Sequence, residues 1–452
     1  MKLLAIEAVQ TSEYYRHRYG QVEGYDAEIY VLNGLGSPDF WPAERYRVAG
    51  SKHVDDIVAA ARAWHEEERF DGVLTFSEAA VVLVAIIARE LGLPGIDVEA
   101  ARTSRNKLLM RQAHERHGVP HPRFRYVTDL DAALAAAGEL GYPVILKPTL
   151  GAGSYSVYRI NRPEDLQLRF PQALEARIQI PWFRMQPDGI DFGPDGLLIE
   201  SFLEGPEFMT ESLAWDDEVY IGSIVDRVTV EGETFDDDVH RAPTALDADQ
   251  VAAIHRVIKA AAHAQGLHRS AMHAEVRYHG GEPHILEIAA RPGGAGLDYF
   301  ARVSAGYCPI RAVRDLAAGV RPDVHHYRPT GVHAAGACLF TDPGRIDEIV
   351  VPESVATSDR VFYLRMMMKP GDVVLRPPHG NSVLGFLCTT GSSFEDAMGI
   401  ACELADQIQV RLSDPDAGPA GPGAPAPPGT RGELRPVLLT SVPELATATA
   451  KP

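Results

Sequence analysis

The chain has 452 residues, of which 45% are hydrophobic and 23% charged, and a formal net charge of −19. That length predicts about three domains and a core of ordinary size. The acidic excess argues against nucleic acid, which demands a basic footprint, and against an anionic membrane surface, but not against an anionic small ligand in a locally basic pocket. Cys308, Cys338, Cys388 and Cys402 show no CxxC spacing, so neither a zinc site nor a disulfide framework is indicated. The opening MKLLAIEAV is interrupted by Glu7 and reads as a strand, not a leader, and Val81–Ala88 is too short to span a bilayer. A reducing cytoplasm is the expected location.

Residues 1–104 alternate strand and helix. Lys2–Val9 reads as a buried strand and Ala27–Leu32 as a second. Ser51 is placed to cap a helix through His53–Glu68, and Gly72–Phe76 is a third strand. Ser77 is placed to cap an apolar helix ending near Gly92. The βαβ pattern predicts a parallel sheet. No GxGxxG follows the first strand, which favours a small α/β domain contributing to a substrate cleft over a dinucleotide site.

Thr103–His117 reads as one basic helix stopped by Gly118. Lys107 lies in its first turn, and Lys107, Arg111 and Arg116 would ordinarily form a solvated face. Phe124–Val127 is a short strand, Asp129–Leu140 a helix, and Val144–Lys147 an apolar strand ending in a lysine. The Gly-rich run Gly151–Ser156 leads into another strand, Val157–Ile160. A lysine beside such a loop suits phosphate: glycines let backbone N–H groups approach the oxygens, and the ammonium supplies a point charge. There is no GxxxxGK[ST], which excludes a P-loop. Leu197–Glu200 is a strand followed by SFLEGPEF, in which Glu200, Glu204 and Glu207 would suit a solvated acidic turn. Met209–Trp215 and Val219–Asp226 alternate as strands, Glu231–Asp238 is an acidic loop, and Asp247–Leu267 is an amphipathic helix.

The stretch Ser270–Gly294 alternates twice around a turn-like His279–Pro283 and predicts a β-hairpin. His273, Glu275 and Arg277 share one strand face; Ile285, Glu287, Ala289 and Arg291 share one on the other strand. The simplest register sets Tyr278 against His284 and Glu275 against Glu287. Opposed carboxylates repel unless a cation or shared proton intervenes. A hard divalent cation such as Mg²⁺ favours such oxygens and bridges them to a substrate phosphate. Arg291 follows, placed to meet an anion. A solvated hairpin with two unrelated acids is the alternative.

Taken in order, Asn106-Lys107 with GVPHP, GYPVILKP with GAGS, LIESFLEGPEF, HAEVR and LEIAARPGG resemble the ATP-grasp superfamily from about Arg105 to Gly296. EIAAR in place of Glu-x-Asn, the N-terminal α/β region, and a C-terminal region with RMMMKPGDVV and GFLCTTGSSFEDA look most like the L-amino acid ligases. The resemblance implies an α/β (α+β) chain with the ATP-grasp fold. Its parts would be an N-terminal α/β domain (1–104), a two-part nucleotide-binding region (105–326, lid-like over 121–205) and a C-terminal α+β module (327–412). A Pro/Ala/Gly-rich tail (413–452) that cannot bury a core would follow.

Roles are implied position by position. Lys107 and Lys147 would contact ATP phosphates, and the loop holding Gly151, Gly153 and Ser154 would close over the γ-phosphate. Glu200 with Ser201, Phe202 and Leu203 would read adenine, and Glu207 would hold the ribose. Glu275 and Glu287 would ligate Mg²⁺, or Mn²⁺ in its place. Arg291 would stabilise an acyl phosphate, and His273 would touch phosphate or substrate, or else be a packed histidine. Ala289 stands where many members carry a metal-binding Asn, and Ser156 where a Gly is common. No general base is assignable; Asp226 and the substrate itself are the candidates. His333, Lys369 and His379 are weaker candidates for pocket lining. The implied reaction is ATP-dependent amide formation between amino acids, or another carboxylate and amine. The alternatives are an ATP-grasp carboxylase or purine-pathway-type ligase, and a non-catalytic nucleotide-binding protein. Homodimers are common for such folds.

Overall fold

A computed structural model describes residues 1–8, 13–36, 40–154, 156–179, 186–229, 238–375, 382–414 and 434–439. His379 and nearly all of the acidic loop and the tail lie outside the described residues. The chain forms two compact units. The first comprises Met1–Ile224, Leu246–Arg302 and Gly306–Arg328; the second comprises Val225–Ala245, Val303–Ala305 and Pro329–Pro452.

In the first unit the N-terminal sheet is parallel, in the order Tyr46–Val48, Glu28–Asn33, Lys2–Glu7, Gly72–Leu74. Its strands are apolar throughout because both faces are covered. Tyr15, Tyr19 and Val22 pack with Ile310 and Val313 on one face, and Ile57, Trp64, Leu83 and Ile87 on the other. Strand order reverses between Lys2–Glu7 and Gly72–Leu74, so their carboxyl ends flank the switch point where such sheets leave a crevice. The caps differ from expectation. Helix Val54–Glu68 is capped by His53, whose Nδ1 accepts from Asp55 N at 3.3 Å. Ser77 makes no side-chain cap and instead enters a 3₁₀ turn, Glu78–Ala80, ahead of helix Val81–Leu91.

Thr103–His117 is two helices. Val98–Arg105 ends at Asn106, whose extended backbone breaks the run. The Asn106 side-chain oxygen accepts from Leu108 N and Leu109 N at 2.9 and 3.4 Å and starts Lys107–Arg116. Asparagine competes for local backbone donors, which periodicity does not register. The break turns Lys107 and Arg111 inward, and neither lies on a solvated face; Arg116 does.

A second, antiparallel sheet runs Phe124–Val127, Leu197–Ser201, Val144–Pro148, Tyr158–Ile160. Helices Leu130–Leu140 and Pro163–Gln179 accompany it, and Ala133, Ala137, Leu166 and Phe170 bury against Val144, Leu146 and Ile199. A third set, in the order Glu282–Ala289, Arg269–His279, Glu207–Trp215, Glu218–Thr229, packs one face on helix Ala248–Ala264. The last of these strands passes into the second unit at Val225.

The hairpin register is mixed. At the turn end Tyr278 pairs with Pro283 and Arg277 with His284, one residue off the simple register. A β-bulge between Glu275 and Val276 absorbs that residue, and beyond it Glu275 faces Glu287 as expected.

In the second unit, Asp238–Ala242, His333–Phe340, Gly385–Gly391 and Val361–Met366 pair in sequence. Helix Phe394–Ala405 buries Ala397 and Met398 against Val239, Ala335 and Ala337. Gly344–Val350 heads a smaller sheet with Gln409–Ser413. Asp226 is spent here: it accepts from Arg241 Nη2 at 2.6 Å, from Ala245 N at 3.0 Å and from the Thr244 hydroxyl.

Candidate active site

Lys107, at the first residue of its helix, points its ammonium at the hairpin. Its Nζ lies 3.0 Å from Glu287 Oε1 and 3.2 Å from the carbonyl oxygen of Gly151. Arg105 donates to the same carbonyl at 3.3 Å. Lys147, at the end of its strand, lies 2.7 Å from Glu200 Oε2. Burial pushes the Lys147 ammonium below its ordinary pKa, against the pull of Glu200. Burial also disfavours the Glu287 carboxylate, but Lys107 and Lys147 outweigh it and hold Glu287 at about 2. Two lysines, the loop carbonyl and a hairpin carboxylate, remote in sequence, are thus assembled in one place.

Glu200 and Glu207 are not a solvated turn. Glu200 is 2% exposed and takes Arg111 on both oxygens, at 2.8 and 3.3 Å, besides Lys147. Glu207 is 3% exposed and pairs with Arg277, whose Nη1 donates to the Leu203 carbonyl at 3.1 Å. Ser201 exchanges bonds with Arg123, accepting at Oγ from Arg123 N at 3.0 Å. Phe202 lies beneath Arg159, 4.4 Å from ring to guanidinium. Gly205, at φ +123°, is required by its neighbour: a Cβ there would lie 1.8 Å from the Tyr278 carbonyl oxygen. That contact seats the acidic turn on the hairpin.

Gly153, Ser154 and Ser156 have positive φ, +62°, +56° and +58°. The serine at 156 therefore holds a conformation that glycine adopts more cheaply. Tyr155, within this loop, lies outside the described residues.

His273 is held on both sides. Its Nδ1 is 2.9 Å from Glu211 Oε1, and its Nε2 is 3.7 Å from Glu275 Oε1. Burial works against the imidazolium, but Glu211 and Glu275 prevail and raise it to about 9. Glu211 also accepts from Gly293 N on both oxygens, at 3.0 and 3.1 Å. Arg18, buried, reaches the Gly293 carbonyl and lies 3.2 Å from Asp298. Arg291 Nε lies 2.6 Å from Glu78 Oε2 and its Nη1 donates to the Pro292 carbonyl at 2.9 Å.

Glu78, Glu211 and Arg18 are absent from the sequence reading, and Arg111 enters it only as part of a solvated helix face. Glu211 alone had a local signal: it continues the alternation of Glu207 and Met209, and its strand sets it directly against His273. Glu78 and Arg291 are 213 residues apart, and nothing near either announces the other.

The donor set fits an anion. Arg105 Nε, Arg111 Nη1 and Arg277 Nε are buried and have no acceptor among the described residues. Among the described residues no three His, Cys, Asp or Glu side chains are grouped to hold a metal. Glu275 and Glu287 alone are a fair pair for Mg²⁺, which takes one or two carboxylates and fills its octahedron with water and phosphate oxygens. No helix among the described residues is long and apolar enough to cross a membrane.

Three family models match parts of the chain. A model of the ATP-grasp domain matches residues 140–298. One of the ATP-grasp N-terminal domain matches 47–95, and one of the L-amino acid ligase C-terminal domain 2 matches 337–413. The alanine–anticapsin ligase of Bacillus subtilis is 29% identical over 265 residues, 56% of this chain and 54% of that protein. The chain thus spans about half the length of the curated relatives it first matches. The crystal structure of an L-amino acid ligase from Bacillus licheniformis superposes with a TM-score of 0.73 at 24% identity, covering 91% of this chain and 98% of that one. The biotin carboxylase domain of Hydrogenobacter thermophilus 2-oxoglutarate carboxylase, solved with MgADP and bicarbonate, has a TM-score of 0.65 at 17% identity and 90% coverage of each. At these identities the structural likeness establishes the fold.

Proposed function

We propose that the chain, whose segments match ATP-grasp and L-amino acid ligase models and which is similar to the L-amino acid ligases, is an ATP-dependent carboxylate–amine ligase. It joins amino acids through an amide bond by way of an acyl phosphate and releases ADP and phosphate. The observation that carries this reading is the contact between Lys107 and Glu287 beside the opposed Glu275. A lysine read as phosphate-binding stands against one of two opposed carboxylates read as a metal pair, which supports a nucleotide's phosphate end at this place.

Lys107, Lys147 and the backbone of the Gly151–Ser156 loop hold the phosphates. The adenine lies by Glu200 and the backbone of Ser201, Phe202 and Leu203, the ribose by Glu207. A substrate carboxylate oxygen attacks the γ-phosphorus as the bond to the ADP oxygen breaks. An amine nitrogen then attacks the acyl carbon, phosphate leaves, and the amine proton is released. Positioning and charge neutralisation supply most of the rate in such transfers. Glu275 and Glu287 would hold Mg²⁺, whose charge would help neutralise the transferring group. Arg291, steadied by Glu78, donates to the acyl phosphate and to the tetrahedral species after it. His273, steadied by Glu211, stands on the same face as Glu275 toward phosphate or substrate. The four free cysteines suit a reducing cytoplasm, and the partners are small molecules, with a homodimer compatible with such folds.

Amino-acid-dependent ADP release tests this. Release that needs two amino acids supports the ligase. Release with bicarbonate alone transfers the site to carboxylase chemistry. No release with any carboxylate leaves a nucleotide-binding protein.

A further inference from the structure

Arg111 is among the largest fully buried side chains of the first unit, and the nucleotide motifs assign it nothing. Its Nε and Nη2 fork onto Glu200, and Nη2 also donates to the Leu286 carbonyl at 2.7 Å. Lys147 shares the same Glu200 carboxylate from the other side. Arg111 Nη1 is buried without an acceptor among the described residues.

The charges in this cluster decide its sense. Glu200 carries one negative charge, and Arg111 and Lys147 carry two positive ones. With Arg111 present the cluster keeps one net positive charge for a ligand. Without it, Glu200 would neutralise Lys147 one for one, and a buried neutral pair has little field to offer a phosphate. The backbone agrees. Arg111 follows Lys107 by one helical turn on the same face. The two reach successive hairpin residues, Leu286 through its carbonyl and Glu287 through its carboxylate. Arg111 therefore fixes the spacing between the strand end bearing Lys147 and the hairpin bearing the carboxylates.

We propose that Arg111 is a positioning residue for the nucleotide phosphates: it takes up the charge of Glu200 so that the charge of Lys147 remains for the ligand. This rests on the reading of the site as a nucleotide site. A buried ion pair that only holds the fold together is the competing account.

Equilibrium binding of MgADP and of adenosine, which has no phosphate, to the full chain separates the two. Arg111→Met is expected to weaken MgADP by about tenfold or more, and adenosine, which meets Glu200 but has no phosphate for Lys147, by at least about threefold less than that. Arg111→Lys keeps the charge but loses the fork, and is expected to weaken MgADP by less than Arg111→Met does. Equal weakening of both ligands in these variants, or unchanged MgADP affinity in both, overturns the proposal. Should Arg111→Met not fold, Arg111→Gln, which keeps a donor for Glu200 and removes the charge, takes its place: selective loss of MgADP affinity supports the role, while parallel loss or none refutes it. A wild-type chain that binds no MgADP removes the nucleotide reading and this inference together. A binding wild type with unaffected variants removes only the inference.

Discussion

His273 lies directly opposite Ala289 in the hairpin. A methyl group faces the ring there, and the imidazole bonds sideways to Glu211, with Glu275 3.7 Å from its other nitrogen. The ring thus brings a positive charge between two acids of the hairpin face.

Folding raises the His273 pKa from 6.5 to about 9, because the bonds to Glu211 and Glu275 outweigh burial. The stabilisation is therefore complete below pH 6.5 and disappears as the pH rises through 9. His273→Gln is expected to melt well below wild type at pH 6, with the gap closing toward pH 10. Thermal melts of the ligand-free protein across that range check this. A gap that does not change with pH shows an uncharged ring.

Glu287→Gln keeps the shape and an oxygen toward Lys107 but loses the anion. Turnover is expected to fall by roughly a hundredfold or more, the scale on which a preorganised charge-stabilising group acts. The circular dichroism spectrum should be unchanged. ADP release at saturating amino acids measures the loss, and wild-type-like turnover removes Glu287 from the metal site.

Gly293 offers a steric test of the His273 network. A Cβ there would lie 2.5 Å from Glu211 Oε1 and 2.7 Å from His273 Nδ1. Gly293→Ala must displace one of them, at a cost of about 1–3 kcal/mol for overpacking. Activity is expected to drop at least roughly tenfold, since misplacing a positioned group costs rate steeply. Gly138→Ala, in helix Leu130–Leu140 with open space around its Cβ, is the control. It should be neutral or stabilise by about 0.5–1 kcal/mol. Equal activities for the two variants would detach Gly293 from the site.

Lys147, Glu275 and Glu287 are legible because strand alternation states which face a side chain takes and apolar neighbours state which face is buried. The opposition of Glu275 and Glu287 is legible for a less secure reason. The simple register errs at Tyr278, and the bulge at Glu275/Val276 restores it. Lys107 is visible as a residue but not as an inward one, because Asn106 breaks a run that periodicity reads as continuous. Arg111, Glu78 and Arg18 are hidden for a common reason. Each is a charge that ordinarily faces water. Only its partner, 89, 213 or 280 residues away, makes its burial tolerable.

Glu7 closes the first strand at the switch point of the N-terminal sheet, 2% exposed, with the Tyr19 hydroxyl donating to it. Burial pushes its carboxyl from 4.5 up to about 8, and the bond from Tyr19 only moderates the rise. A carboxyl whose pKa is raised by folding binds its proton more tightly in the native state. Its stabilisation is then complete below pH 4.5, erodes as the pH climbs, and is gone above about 8. Tyr46, which senses Glu7, is pushed up to about 12 by burial and stays neutral throughout that window. Glu7→Gln preserves the size and a hydrogen-bonding amide and cannot ionise. The variant should be no more stable than wild type at pH 5 and more stable at pH 9, the difference changing by on the order of a few kcal/mol. Urea unfolding at pH 5, 7 and 9 reads that difference directly. A constant offset between the two proteins would mean that Glu7 ionises as freely in the fold as in the open chain.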